Sequence, residues 1–390
     1  MFNLPRTVVV LGFVSFLNDA ASEMITPLLP LFLTATLGAG PAVVGLVEGV
    51  AEATASLLKL ASGRLVDRGW NHKGLVLGGY SVSNLARPLI GVALGWVWVL
   101  LLRFMDRVGK GIRTSPRDAL IAASTDASRR GRSFGFHRAL DNAGAMVGPL
   151  IAFGLLSANL PLQQVFLWSL VPGLLVLALL NWGLDGTPAP APPPDKSPLR
   201  WSMLDSRVRG LIIAAGGLAL ASAPEAFLVL WANDRGLAVV WVPLIWAAAS
   251  AIKAVVAGPA GAVSDHFGRA PVLLAGWGLR VVLLLLLAAA AQGQGELLTW
   301  LLFLSYGAAL AVTEGPERAL VGDFSRASQR GTAFGLYHMT TGLAALPGAL
   351  LFGGLWQGFG AAAAFVVAAA IATASVLVLL RSIRAMGPGH

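Results

Sequence analysis

Apolar residues run through this chain in long blocks, and short polar or charged gaps separate them. A helix needs roughly 20 mainly apolar residues to cross a bilayer. That window finds twelve candidate spans: Val8–Leu37, Pro41–Val66, Gly74–Gly95, Trp98–Ala122, Ser133–Ser157 and Gln163–Leu184, then Val208–Trp231, Val239–Val263, Ala270–Ala291, Leu297–Val321, Ala333–Trp356 and Ala361–Leu380. Charges interrupt the fourth and tenth. The first is read as a true span, not a cleaved signal, because it is long, carries Asp19 and Glu23, and lacks a small-residue cleavage site. The expected fold class is all-α: a polytopic membrane protein of twelve transmembrane helices.

Composition agrees with a lipid environment. Of the 390 residues 56% are hydrophobic and only 12% charged, about half the charge of an ordinary soluble domain. No cysteine is present, which removes disulfides, zinc–thiolate sites and thiol nucleophiles. The net charge of +9 sits mostly in the gaps between spans, so it reads as a topology signal and lipid contact, with no nucleic-acid partner. Arg64, Arg68, Lys73, Arg117, Arg129, Arg130, Arg132, Lys196, Arg200, Arg207, Arg209, Arg269, Arg326 and Arg330 fall on one side, and Arg235 alone on the other. Both termini are therefore expected in the cytoplasm, with the protein in the inner (plasma) membrane.

The chain is written twice. Asp185–Arg200 is Pro-rich and polar, as a semi-rigid spacer is. It divides the expected domains: a six-helix bundle at 1–184, a cytoplasmic linker at 185–206, and a second bundle at 207–390. The segment beginning at Ser115 aligns without gaps to that beginning at Gly315. Pro116, Ala119, Leu120, Ser128, Arg130, Gly131, Phe134 and Gly135 all recur two hundred positions later. A turn of Gly63, Asp67 and Arg68 recurs as Gly261, Asp265, Gly268 and Arg269. Duplicated six-helix units are a common plan for transporters, with the site at the repeat interface.

That repeated turn resembles the loop signature of the major facilitator superfamily, and twelve spans in two pseudo-symmetric halves match its fold. The first copy departs from the pattern at Gly69–Lys73. The resemblance implies a conformational latch at Gly63, Asp67, Arg68, Gly261, Asp265 and Arg269; a helix-capping Asp in a basic loop is the other reading. Gly135, Gly144, Gly148 and Pro149 resemble the family's antiporter signature, with Ala152, Phe153 and Gly154 where it closes in Gly-Gly. Such spacing also serves general helix packing. Arg103 with Gly109 resembles the proton-relay motif, with Asp106 and Arg107 in place of the usual Gln and Gly.

Ionisable side chains inside membrane helices are costly and generally face an inner cavity. Asp19 and Glu23 lie one turn apart on a single helical face. Two carboxylates so placed cannot both ionise cheaply, which suits a proton carrier; a static pair with a basic residue of the fourth span is the alternative. Glu52, deeper than Glu48, joins Asp19, Glu23, Arg103 and Asp106 as a proton-coupling candidate. Arg138 with Asp141, and Glu314 with Arg318, are spaced to pair. Candidates for the substrate cavity are Asn18, Arg138, Asp141, Asn142, Glu225, Trp231, Trp246, Glu314, Tyr337 and His338; Lys253, Arg280 and Glu317 are further charges of the second half. The acids concentrate in the first half, which suggests that one half handles protons and the other shapes the cavity.

The expected function is secondary transport of a small molecule by alternating access, as proton-coupled efflux of an apolar or cationic compound. An uptake symporter or a metal-ion exporter of the same fold stays open. No catalytic triad, His-Glu-x-x-His pattern or phosphate loop occurs, so enzyme activity, bound cofactors and a resident metal are not expected. The expected partners are substrate, protons and the lipid bilayer, with the chain a monomer.

Overall fold

The computed structural model describes residues 4–67, 70–126, 130–184, 201–325 and 330–384. The described residues are helical throughout, without strands: α1 (Arg6–Glu23), α2 (Leu29–Leu31), α3 (Pro41–Asp67), α4 (His72–Leu89), α5 (Trp96–Ala123), α6 (Arg130–Ser157), α7 (Leu162–Trp168), α8 (Leu170–Gly183), α9 (Ser206–Leu220), α10 (Glu225–Asp234), α11 (Val242–Phe267), α12 (Arg269–Ala289), α13 (Glu296–Phe324), α14 (Arg330–Phe359) and α15 (Ala361–Arg384). Each expected span maps onto one helix or one broken pair of helices. Nine segments among the described residues are long and apolar enough to cross a bilayer. Helices α1, α4 and α5 fall outside that number. Three charges in α1, the polar residues of α4 and the charged row of α5 dilute their apolar length.

The helix ends follow local chemistry. Asn71 caps α4 by accepting from the Gly74 amide at 3.2 Å, and Asp205 caps α9 by accepting from the Arg207 amide at 2.9 Å. Proline has no amide to donate. Pro224 accordingly splits the seventh expected span into α9 and α10, and Pro27 and Pro30 end α1 early. Past them the chain widens into a π-turn at Phe32–Thr36, where the Thr34 hydroxyl donates to the Pro30 carbonyl at 3.0 Å.

By contacts the described residues form two units. Unit 1 draws on Met1–Ala39, Thr54–Asp195 and Val239–Ala247, and unit 2 on Gly40–Ala53, Lys196–Ala238 and Ala248–His390. The short segments that change unit, beginning near Pro41 and Trp241, stand two hundred residues apart, like the motifs of the two halves. The Pro-rich stretch Asp185–Arg200 lies outside the described residues.

Packing repeats the same register. In unit 1, α6 lies so close to α1 that a methyl on Gly148 would overlap the Ala20 carbonyl oxygen. In unit 2, a methyl on Gly348 of α14 would sit 2.6 Å from the Leu220 carbonyl oxygen of α9. Both glycines and both carbonyls are spaced by two hundred, so the duplication is physical as well as textual. The apolar core of unit 1 gathers Val8, Leu11, Val14, Val76, Tyr80, Ile121, Val176 and Leu180 from α1, α4, α5 and α8. The polar site described next lies along α1, past this core toward the helix end at Glu23.

Candidate functional site

Helix α1 presents Ser15, Asn18 and Asp19 on one face, and the close approach of α6 at Gly144 and Gly148 brings Asp141 to that face. The Ser15 hydroxyl donates to Asp141 Oδ1 at 2.6 Å. Arg138 Nη1 donates to Asp141 Oδ2 at 3.0 Å. Asn18 Nδ2 donates to Asp19 Oδ1 at 3.0 Å. The Asp19 and Asp141 carboxyl groups face each other within hydrogen-bonding reach, and Lys110 of α5 supplies a positive charge nearby. Glu23, expected to be the partner of Asp19, acts on it as a further negative charge and also accepts from the Trp246 indole N–H at 2.9 Å.

Behind this pair lies a buried charge network. Arg87 of α4 donates through Nε to Asp106 Oδ1 of α5 at 2.7 Å, with the two side chains 2% and 0% exposed. Arg87 also donates to the Asn18 side chain at 3.0 Å and the Asn84 side chain at 3.3 Å. Arg103 and Arg107 stand 3.6 and 3.8 Å from Asp106 Oδ2. Arg113 donates to Ser83 at 2.8 Å and lies over the Tyr80 ring at 4.4 Å. Asp106 is thus the anionic centre of several guanidiniums, and its strongest partner comes from α4. Sequence reading missed Arg87, Ser83 and Asn84. The signal was present: Arg87 is an ionisable residue inside an apolar run, one turn from Asn84.

Other expected residues are scattered. Glu52 is exposed on α3, and Asn142 is exposed on α6. Gly135 has open space around it, whereas Gly144 and Gly148 make close contacts and Pro149 lies buried inside α6. Gly63 packs near Ser115. Arg68 and the Asp67 side chain lie outside the described residues.

In unit 2, Glu225 of α10 pairs with Lys253 of α11, each about a third exposed. Trp231 is buried, donates to the Leu287 carbonyl at 3.2 Å and lies under Arg235 at 5.0 Å, so its ring is taken up by the core of the unit. Glu314 pairs with Arg318 at 2.8 Å on an exposed face. The Tyr337 hydroxyl donates to Glu317 Oε1 at 2.6 Å, while His338 is exposed beside Tyr337. Of the expected latch, Arg269 stands 3.6 Å from Asp265 and pairs more closely with Asp323 of α13. Gly261 has open space, and Gly268 takes φ +92°, a conformation that suits glycine at this turn.

Comparison with known proteins fits this architecture. The Major Facilitator Superfamily matches residues 11–316 and 244–389. An uncharacterized MFS-type transporter of Methanocaldococcus jannaschii is 32% identical over 363 residues, covering 91% of this chain and 89% of its own. A multidrug resistance protein, MdtH, of Aeromonas hydrophila is 29% identical over 177 residues, covering 45% of this chain and 41% of its own. Among solved structures, a POT family transporter in complex with 5-aminolevulinic acid superposes with a TM-score of 0.80 at 14% identity, covering 98% of this chain and 97% of that one. With these matches over a helical, polytopic chain, the protein belongs to the Major Facilitator Superfamily and is a membrane transporter, not an enzyme.

Proposed function

We propose that this transporter exports a small molecule in exchange for protons, and that the Asp19–Asp141 pair carries the proton. That pair is the observation on which the reading rests. Two carboxylates at hydrogen-bonding range repel, so such a contact calls for one shared proton. Ser15, Asn18 and Arg138 hold the two groups in place from α1 and α6. Small changes in the α1–α6 contact would alter the distance between them, and with it their hold on the proton. The antiporter-like glycines Gly144 and Gly148 set that contact, which links the motif to the coupling. The partial likeness to a multidrug resistance protein supports the outward direction.

In this reading the halves 1–184 and 207–390 alternate access, with 185–206 as the cytoplasmic linker and both termini in the cytoplasm of a cell bounded by this membrane. The chain acts as a monomer. Asp106 with Arg87 holds the α4–α5 scaffold against which α1 is positioned, and Arg269 with Asp323 braces the turn between α11 and α12.

The test is flux in proteoliposomes with an imposed pH gradient and a chemically diverse substrate panel. Proton entry should drive substrate exit, and Asp19→Asn or Asp141→Asn should each lower the gradient-driven component at least tenfold. Flux unaffected by either change would overturn the assignment, and accumulation along the proton gradient would make the protein a symporter.

A further inference from the structure

We infer that Arg280 and Tyr306 form an anion-recognition subsite within unit 2, and that the transported compound is an organic monocarboxylate. This rests on the transporter reading and deepens it by naming the class of substrate. Arg280 of α12 is 5% exposed and Tyr306 of α13 is fully buried. The guanidinium lies over the phenol ring at 5.7 Å. Its Nη2 donates to a neutral hydroxyl, that of Ser222 between α9 and α10. Its Nε and the Tyr306 hydroxyl have no hydrogen-bond partner. A buried guanidinium without a directly paired acid is unfavourable, and so is each unsatisfied donor. An oxyanion between the two groups would relieve both.

The duplication sharpens the point. In the register that relates Ser115 to Gly315, Phe303, Tyr306, Gly307, Leu310 and Thr313 stand where the first half has Arg103, Asp106, Arg107, Lys110 and Arg113. The first half answers its arginines with the Asp106 carboxylate. In the second half the corresponding side chain is a phenol, which brings no formal negative charge to the place that Asp106 fills in the first.

The surrounding charges narrow the ligand. Lys253, which lies against Gly307 next to Tyr306, is already neutralised by Glu225. Glu317 acts on Arg280 electrostatically, yet its carboxylate oxygen takes the Tyr337 hydroxyl and it lies about three turns along α13 from Tyr306. Arg318 is paired with Glu314. Glu317 offsets part of the Arg280 charge from a distance, so what is left to be met beside Tyr306 is at most one positive charge, which suits a singly charged group over a dianion. Trp277 and Phe303 are buried beside these residues, on α12 and α13, so an apolar or aromatic body is favoured over a bare inorganic ion. A carboxylate matches the guanidinium fork in two parallel hydrogen bonds.

The experiment is equilibrium binding to the purified full-length protein, without a pH gradient, so that its outcome is independent of proton coupling. Benzoate, hippurate and hexanoate are each compared with the matching primary amide, and with chloride, by calorimetry and thermal shift. At least one acid should bind tenfold or more tightly than its amide. Arg280→Gln should remove that preference, Arg280→Lys should retain part of it, and Tyr306→Phe should weaken the acid about three- to tenfold. A panel in which no acid surpasses its amide overturns the inference, and that comparison needs no variant to fold. So does saturation by chloride alone with no additional effect of the acids, or an unchanged preference in Arg280→Gln.

Discussion

Replacing Asp106 with asparagine keeps the shape of the side chain and removes the negative charge at the centre of the α4–α5 network. In the native protein Arg87 Nε lies 2.7 Å from Asp106 Oδ1, with both side chains almost wholly buried. Arg103 and Arg107 draw on the other oxygen from 3.6 and 3.8 Å. Removing one member of a buried pair strands the other, at a cost of about 3–5 kcal/mol. That corresponds to roughly two to three and a half powers of ten in the unfolding constant. Exposed pairs behave differently: they contribute about 0–1 kcal/mol, so Glu314→Gln, at the exposed Arg318 pair, is the control. The Arg87→Gln/Asp106→Asn double variant should lose about 0.5–3 kcal/mol less than the sum of the single changes, since the stranded Arg87 charge is gone while those of Arg103 and Arg107 stay. Unfolding in mixed detergent micelles, followed by tryptophan fluorescence, measures all four. An Asp106→Asn protein as stable as the control would mean that water screens this interior, and the argument for a dry network would fail.

Close packing makes a second prediction. Gly148→Ala should destabilise by about 1–3 kcal/mol, because the new methyl meets the Ala20 backbone carbonyl, while Gly135→Ala and Gly154→Ala, which have open space, should be neutral or stabilising; the same unfolding assay decides. Arg235→Gln should loosen the end of unit 2, where the native side chain donates to the Ala290, Gly293 and Gly295 carbonyls and to Thr299. Limited proteolysis should then cut between Ala290 and Gly295 several-fold faster, and an unchanged rate would dismiss the clamp. Tyr306→Asp should place an acid against Arg280, raising stability and abolishing carboxylate binding; a variant that still binds carboxylate would contradict the vacancy assigned to Arg280.

Much of the fold was legible because lipid imposes a one-dimensional rule. Every crossing needs its own apolar run, and each expected run is a helix or a broken pair of helices. What the window could not see was where proline interrupts a run, since Pro224 is as compatible with an apolar average as any neighbour. The duplication was legible at Ser115 and Gly315 from shared letters. Its extension to Ala20 with Gly148 and Leu220 with Gly348 became visible only through contacts, because the Ala20 and Leu220 backbone carbonyls make the approach and the residue letters differ. The acidic site was half legible. Asp19 stands out as an acid in an apolar helix, but its neighbour on the same face, Glu23, turned to Trp246, while the carboxyl that faces it comes from α6 over a hundred residues away. One-helix spacing reports which side chains share a face; which other helix arrives at that face is set by glycine contacts.

Those contacts also explain how a duplicated chain can hold two chemistries. The glycine–carbonyl approach at Gly148 is retained at Gly348, so both units keep the same helix spacing and the same places for side chains to meet. Once the backbone geometry is secured by residues without functional groups, the side chains at the meeting places are free to diverge. In unit 1 they became an acid-centred network, with Asp106 among arginines and Asp19 facing Asp141. In unit 2 the matching row along α13 carries no charge, and Arg280 faces a phenol. A proton carrier needs closely spaced acids whose separation can change, whereas a carboxylate binder needs a cation without an internal acid to satisfy it. One site cannot meet both conditions, because the acids of the first would occupy the cation of the second. On the proposed reading, placing them in separate copies of one scaffold resolves the conflict, and exchange between proton and substrate becomes a matter of how the scaffold moves.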